Sequence, residues 1–594
     1  MSRNLLAITF ILLAVGHSYA QEELDSVPPF YLKLKDYAVK RKSTFLIYQS
    51  IFNTPKAADL QRLIEYKGKK NGLVIRNITI NTRDPFGSIL EDSLTYAHSM
   101  IQKTGNVLHH RTREKAIQNL LLFTHGVLTN ELVMQESERL VRNSGYIRDL
   151  KITVVQVNED SADIRIDTRD HWTFKTSGSF TSEKVTWRFT EYNLFGMGHR
   201  LSNTTTWNKK LNEPWKPYLK GSYQIPSIAG SFVNSNLLYR FEGDNREWGI
   251  EINRPFVSSL SEWAGGASAM YREIKDSLRL DALSYAPYTF SGTHQGVWIG
   301  KSFPLQSGET LEEQSTRAIL AFGYEMESTK SLNTNFTIAE KVLSSNQTTL
   351  LSVGISNRTY SLQRYVFQFG DEEDIPSGRK LQLTGGYENN GHGGRYFYSS
   401  AIGAGGFIRS KYYSYAQFEW STFMHQGQKE DGLIRANALA FLPLLGGKKW
   451  KARVFMELGY VCYENQTYYR PLNLAEDRLV PGYDSNLPEG VERFSFNLTG
   501  ALFNPIDIIG FRVTPILFIG AGWVGDGNSP LFQYTPQAVY GGGLAISNKF
   551  LAQSDFKIVL AFFPNAATDY KLGSIKAWEY SLNDFDISKP QTNF

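Results

Sequence analysis

From about Trp172 to its end, the chain runs as short segments of alternating apolar and polar residues, each closed by a Gly, Asn, Asp or Pro turn. A period of two belongs to strands with one apolar and one polar face. Around Lys451, for example, Ala452, Val454, Met456, Leu458 and Tyr460 fall on one face, and Lys451, Arg453 and Glu457 on the other. Further on, Phe494, Phe496 and Leu498 oppose Arg493, Ser495, Asn497 and Thr499. A soluble sandwich buries such a face against a second sheet, but more than 400 residues without helical interruption are long for one. A closed transmembrane barrel buries the face in lipid instead. Alternation and turn signals give about twenty strand segments, the first near residues 173–181 and the last near 574–583.

The first twenty residues set the compartment. Arg3 supplies a charged start, Leu5 to Val15 an apolar core, and Ser18-Tyr19-Ala20 a small-x-small cleavage site before Gln21. This is the pattern of a secretory signal. No other stretch reaches the ~18 continuous apolar residues of a membrane helix, and the mean hydropathy is −0.31, so a membrane role requires strands. The one cysteine, Cys462, cannot form an internal disulfide and lies far from the cleavage site. An exported chain without disulfides needs another source of stability, which a closed strand ladder in lipid provides. Aromatic residues make up 13% of the chain, matching the girdles that barrels place at membrane interfaces, although a Tyr-rich soluble β protein has the same composition. A net charge of +5, with both signs interspersed, argues against a nucleic-acid partner.

Between about Gly72 and Asp170 the pattern changes. Leu73 to Ile80 reads as a strand, followed by an Asp84-Pro85-Phe86-Gly87 turn. A helix is expected from Thr112 as N-cap, with Ile117, Leu120 and Leu121 on one face. A second should run from Asn130 to Arg142 and stop at Gly145. Two strands, Tyr146 to Gln156 and Asp163 to Thr168, close the unit. Residues 21–71 are less legible: Leu34, Tyr37, Phe45, Tyr48 and Phe52 keep helical spacing among lysines, as in a surface-lying amphipathic helix, but a solvated linker fits as well. The expected organisation is a signal at 1–20, an N-terminal segment at 21–71, a small α+β domain at 72–170 and a barrel with a short tail at 171–594.

The order strand, helix, helix, strand, strand, with Glu136, Arg139, Leu140 and Arg142 leading into Gly145-Tyr146-Ile147, resembles a POTRA domain. That is the periplasmic module of the BamA/TamA superfamily of outer-membrane assembly and translocation proteins, which carry it directly before the barrel. A second resemblance lies in Arg478-Leu479-Val480-Pro481-Gly482-Tyr483-Asp484, which is similar to the family's long sixth loop with its Val-Arg-Gly-Tyr tip. It is followed by Phe518-Ile519-Gly520-Ala521-Gly522, similar to the family strand Phe-x-Asp-x-Gly. The resemblance implies an outer-membrane barrel, normally of sixteen strands, with the module in the periplasm of a Gram-negative bacterium.

Two departures stand out. Pro481 replaces the family arginine and Gly520 the family aspartate, the two charges that pair inside the family's barrels. Losing one alone strands a buried charge at ~3–5 kcal/mol, and losing both avoids that cost. The loop is therefore expected to enter the lumen without the latch, held by Tyr483 or Arg478. Trp578, Tyr580 and Leu582 form the apolar side of an expected last strand ending near Phe585, with a periplasmic tail beyond it. Together with Gly178 in the first strand they mark the expected lateral seam.

By resemblance, the partners are unfolded outer-membrane or secreted protein clients, bilayer lipid and lipopolysaccharide, and accessory lipoproteins or other barrel-complex subunits. Clients would be received by strand addition. A scaffolding subunit of an outer-membrane complex and a substrate-specific secretion pore are the other readings. No nucleophile elbow, zinc helix motif or phosphate loop is present, so no catalytic residue, cofactor or metal is expected. His109-His110, Asp170-His171 and the run Asp371 to Asp374 are the clusters with any chemical promise, the last as a cation-collecting or solvated acidic loop.

Overall fold

The computed structural model describes residues 71–86, 100–180, 184–208, 216–281, 284–305, 315–367, 370, 372–391, 393–409, 411–447, 450–475, 479–480, 483, 488–504, 507–508, 511–548, 555–565, 570–573, 585–587 and 589–592. The signal segment and the amphipathic stretch expected at 31–52 lie outside these. The described residues outside 507–508 belong to one compact unit.

Its small domain begins with β1 (Val74–Arg83), followed by helices α1 (Met100–Leu108), α2 (Glu114–Gln118) and α3 (Glu131–Arg142), then β2 (Ile147–Gln156) and β3 (Ser161–Asp170). The sheet order is β1-β3-β2, with β1 parallel and β2 antiparallel to β3. The core collects Ile75, Ile117, Met134, Val141, Ile152, Ile164 and Ile166, all buried. Helix α1 is an element that periodicity did not reveal. Thr112 is also not a helix cap: the cap position of α2 is Arg113, without a side-chain bond. Asn130 does cap α3, accepting from the Val133 N–H, and Gly145 takes φ +80° just beyond the helix end.

The barrel starts with six shorter strands: β4 (Phe174–Phe180), β5 (Lys184–Leu194), β6 (His199–Asn208), β7 (Lys216–Ile225), β8 (Asn234–Glu242) and β9 (Asn245–Arg254). Longer ones follow: β10 (Trp263–Arg279), β11 (Tyr285–Pro304), β12 (Arg317–Asn333), β13 (Asn346–Arg364), β14 (Glu372–Asn389), β15 (Gly394–Ile408), β16 (Tyr412–His425), β17 (Gln428–Phe441) and β18 (Lys451–Glu464). The circuit ends with β19 (Glu492–Phe503), β20 (Phe511–Gly525), β21 (Gln537–Asn548), β22 (Asp555–Phe562) and β23 (Tyr570–Gly573). Neighbours pair antiparallel and the barrel closes between β23 and β4. Among the described residues this makes twenty strands. The segment count was therefore right and the sixteen implied by family resemblance is corrected. Five strands, β19 to β23, follow the loop that begins at the end of β18.

Period-two burial divides the wall into two faces. On β13, Leu351, Val353 and Ile355 are exposed while Leu350, Ser352 and Ser356 are buried. On β20, Leu517 and Ile519 point out and Phe518 is buried. Repeated around the ring, the outward positions form an apolar belt suited to lipid. Exposed Trp263, Tyr412 and Trp450 stand at strand ends on the side of the small domain, and Trp187, Trp248, Tyr387 and Tyr396 toward the far end. The inward positions are mixed: they carry ion pairs such as Arg272–Glu327 and Arg435–Glu419 as well as apolar clusters.

Candidate functional site: the lumen and its mouth

The loop between β18 and β19 enters the barrel. Leu474, Val480 and Tyr483 are buried in one cluster with Phe518, Val524, Val539 and Phe563. The Tyr483 and Phe563 rings meet edge to face at 5.7 Å. The seat depends on two glycines of β20. A Cβ on Gly520 would stand 3.0 Å from the Leu479 carbonyl oxygen and 2.9 Å from Val539 Cγ1, and one on Gly522 would collide with Leu474. Gly520 thus lies against loop backbone, and the contacts that seat the loop there are apolar. Of the loop residues named from the sequence, Val480 and Tyr483 are in this seat. Arg478, Pro481, Gly482 and Asp484 lie outside the described residues.

The root of the same loop is held by charge. Asp431 on β17, 3% exposed, accepts from the Thr467 N–H at 3.0 Å and ion-pairs with Arg470 and Arg395 at 2.8 Å each. Arg395 also pairs with Glu388 at 2.7 Å. Sequence reasoning missed this group, because the partners come from β14, β15, β17 and the loop, and no local spacing links them.

At the near end, helix α3 fastens the small domain to the barrel mouth. Arg142 grips Asp374 through Nε and Nη2 at 2.9 and 3.0 Å. Arg139 donates to the Val257 carbonyl at 2.7 Å and to Glu136, and its guanidinium lies 4.4 Å from the Tyr360 ring centre. This corrects the solvated-loop reading for Glu372 to Asp374. Glu372 also pairs with Arg364, and the Glu373 carboxylate accepts the N–H groups of Val366 and Phe367. Glu372, Glu373 and Asp374 are therefore a docking seat and not a solvated loop; Asp371 lies outside the described residues.

Burial pushes the Glu138 carboxyl up to about 7; Arg142 and the Ile152 N–H oppose the rise, while Glu372 and Asp374 add to it. The two histidine–aspartate clusters also meet: His109 Nε2 lies 2.8 Å from Asp170 Oδ2, both side chains being shielded from solvent, and Asp170 accepts the Thr112 N–H. Among the described residues no group of three or more His, Cys, Asp or Glu side chains could hold a metal ion.

Residues 585–587, 589 and 590 give the largest correction. They are neither strand nor solvated tail: Phe585 and Ile587 are 0% and 1% exposed and lie on the inner wall. Phe585 packs on Tyr415 and its carbonyl accepts from the Ser356 hydroxyl. Asp586 faces Arg358 at 3.3 Å and Lys589 faces Glu325 at 3.6 Å. An aromatic near the end of such a chain reads as a strand terminus; the lumen claims it instead because β12, β13 and β15 carry inward glycines that leave room. Of the expected seam, Gly178 sits on β4 opposite Trp187, and Trp578, Tyr580 and Leu582 lie outside the described residues.

No family model matches the chain, and no curated protein matches it. Among solved structures it is similar to BamA from Haemophilus ducreyi lacking POTRA domains 1–3, at 12% identity over 96% of each chain, with a TM-score of 0.30. CdiB from Acinetobacter baumannii is similar at 11% identity over 93% of this chain and 98% of that one, TM-score 0.39. CdiB from Escherichia coli follows at 10%, over 89% and 97%, TM-score 0.34. The chain is thus similar over nearly its whole length to structures that include BamA, and its own strands make it a closed antiparallel barrel of twenty strands joined to a small α/β domain.

Proposed function

We propose that this chain is an outer-membrane barrel that inserts or translocates other polypeptides, taking them up by strand addition on its small domain. The observation that carries the reading is the state of β2. The sheet has two edges, and the first half of β1 is covered by residues 126–129 through the pairs Ile75 N–Val127 O, Gly126 N–Ile75 O and Thr129 N–Leu73 O. Strand β2 is the other edge. Val155 on it is exposed, and α3 beside it is tied to the barrel mouth by Arg142 and Arg139. An edge strand flanked by a helix accepts an extended peptide by main-chain pairing. The domain is POTRA-like and periplasmic in this reading, with unfolded outer-membrane or secreted proteins as clients and lipopolysaccharide and accessory lipoproteins as neighbours. The closing pair β23 and β4 would be the lateral gate.

Depletion of the protein followed by quantification of the other outer-membrane barrels tests this: their levels should fall, and unchanged levels would overturn it. Cross-linking introduced cysteines at Gly178 and in the final strand, in a Cys462→Ser background, should abolish activity; full activity of the locked form would exclude the gate.

A second reading, a scaffolding subunit of an outer-membrane complex, is favoured by one observation: the lumen is filled twice, by the loop and by residues 585–590. It predicts unchanged barrel levels on depletion and loss of a co-purifying complex instead.

A further inference from the structure

We propose that the inner wall of β12 to β16 is a binding track for an extended peptide, and that residues 585–590 are its resident, displaceable occupant. The described residues Phe585, Asp586, Ile587, Lys589 and Pro590 cross the wall strand by strand. Phe585 meets Tyr415 and Gly405, Asp586 meets Arg358, Ile587 meets Gly354 beside Phe256 and Ile319, Lys589 meets Glu325, and Pro590 meets Gly323.

Three features mark a recognition site and not a chance fill. Each apolar contact falls where a wall strand carries an inward glycine: a Cβ on Gly405 would stand 3.0 Å from the Phe585 ring, one on Gly323 3.4 Å from Pro590, and one on Gly354 would collide with Ile587. Each charged residue of the segment has an opposite charge on the wall. The segment's backbone is read as well, through Ser356 Oγ to the Phe585 carbonyl. The site therefore selects an aromatic, an acidic and an aliphatic residue in succession, with a basic residue two further on. Its ligand class is an extended polypeptide stretch with that pattern.

The grip is releasable. The ion pairs are partly wet, with Asp586 25% and Lys589 40% exposed at the side chain, so each contributes modestly, while the two apolar pockets set affinity. A passing chain with the same pattern competes for the track and opens the lumen as it displaces the resident segment. Only the identity of that competitor rests on the polypeptide-handling reading.

Single-channel conductance of the full chain in planar bilayers tests this. Deleting residues 585–594 should raise conductance several-fold, and a synthetic peptide of residues 585–594 should restore the low level saturably, while a scrambled peptide should not. Asp586→Lys and Gly323→Leu keep the chain intact where the deletion fails to fold. The first repels Arg358, and in the second the three atoms nearest the new Cβ all belong to Pro590; both should raise conductance. Unchanged conductance in all folded variants, or equal block by the scrambled peptide, would overturn the proposal. A barrel that shows specific peptide block yet leaves client levels unchanged on depletion would sink the insertion reading alone.

Discussion

The Leu479 carbonyl oxygen lies 3.0 Å from the point where a Cβ on Gly520 would stand. Loop and wall are that close only because Gly520 has no side chain, and the apolar cluster around Val480 and Phe518 forms on the strength of that approach. Gly520→Val should therefore lift the loop from its seat at a cost of ~1–3 kcal/mol, the range for overpacking. Protease should cut within 465–491 faster in the variant, while the strands stay folded by heat-modifiability on gels.

The Arg142–Asp374 pair should hold the small domain at the barrel mouth. Its side chains are 15% and 8% exposed, so Arg142→Ala leaves the Asp374 carboxylate without its arginine and should weaken docking by ~3–5 kcal/mol. Asp374→Ala alone should cost less than the arginine change, because Glu372 remains within 3.8 Å of Arg142. A double-mutant cycle read by hydrogen exchange of α3 should give a coupling of ~0.5–3 kcal/mol.

Glu138 gives the docking helix a pH dependence. Its carboxyl titrates at about 7 in the fold and in the ordinary carboxylate range when unfolded. Its contribution is fully present below that ordinary range and is lost as pH rises through about 7. Glu138→Gln should leave stability unchanged near pH 4 and raise it by up to ~3 kcal/mol at pH 8. Denaturant melts of variant and parent at the two pH values check both the sign and the window.

Lipid exposure is testable on one strand. Val353 is 45% exposed and its neighbour Ser352 is 0% exposed, so the two faces differ by one residue. Val353→Arg should lose ~2–4 kcal/mol in refolding into bilayers if it lies near the midplane depth. Ser352→Ala should lose less, since it removes only hydroxyl contacts, to Thr384 at 2.7 Å and from the Gln382 amide at 3.5 Å.

The barrel was legible because its signal is local. Alternation in β13 or β18 follows from one strand meeting lipid on one side, and the count of about twenty needed no knowledge of pairing. Loop entry was legible too, from Tyr483 and its surroundings. What escaped were relationships between distant strands: Asp431 with Arg470 and Arg395, or Ile587 with Gly354, which no spacing connects. The acidic run at 371–374 was misread for the same reason, since its partner Arg142 lies 232 residues away. Phe585 was misplaced because an aromatic after an alternating segment looks the same whether it ends a strand or turns into the lumen.

Reconstitution measures whether the barrel inserts or translocates polypeptide, as proposed. The purified chain in liposomes is mixed with a urea-denatured outer-membrane barrel, and the folded fraction of the client is followed over time by heat-modifiability. Client folding should be faster than in empty liposomes, and slowed when cysteines lock β4 to the final strand. Identical rates with and without the chain would contradict the proposal.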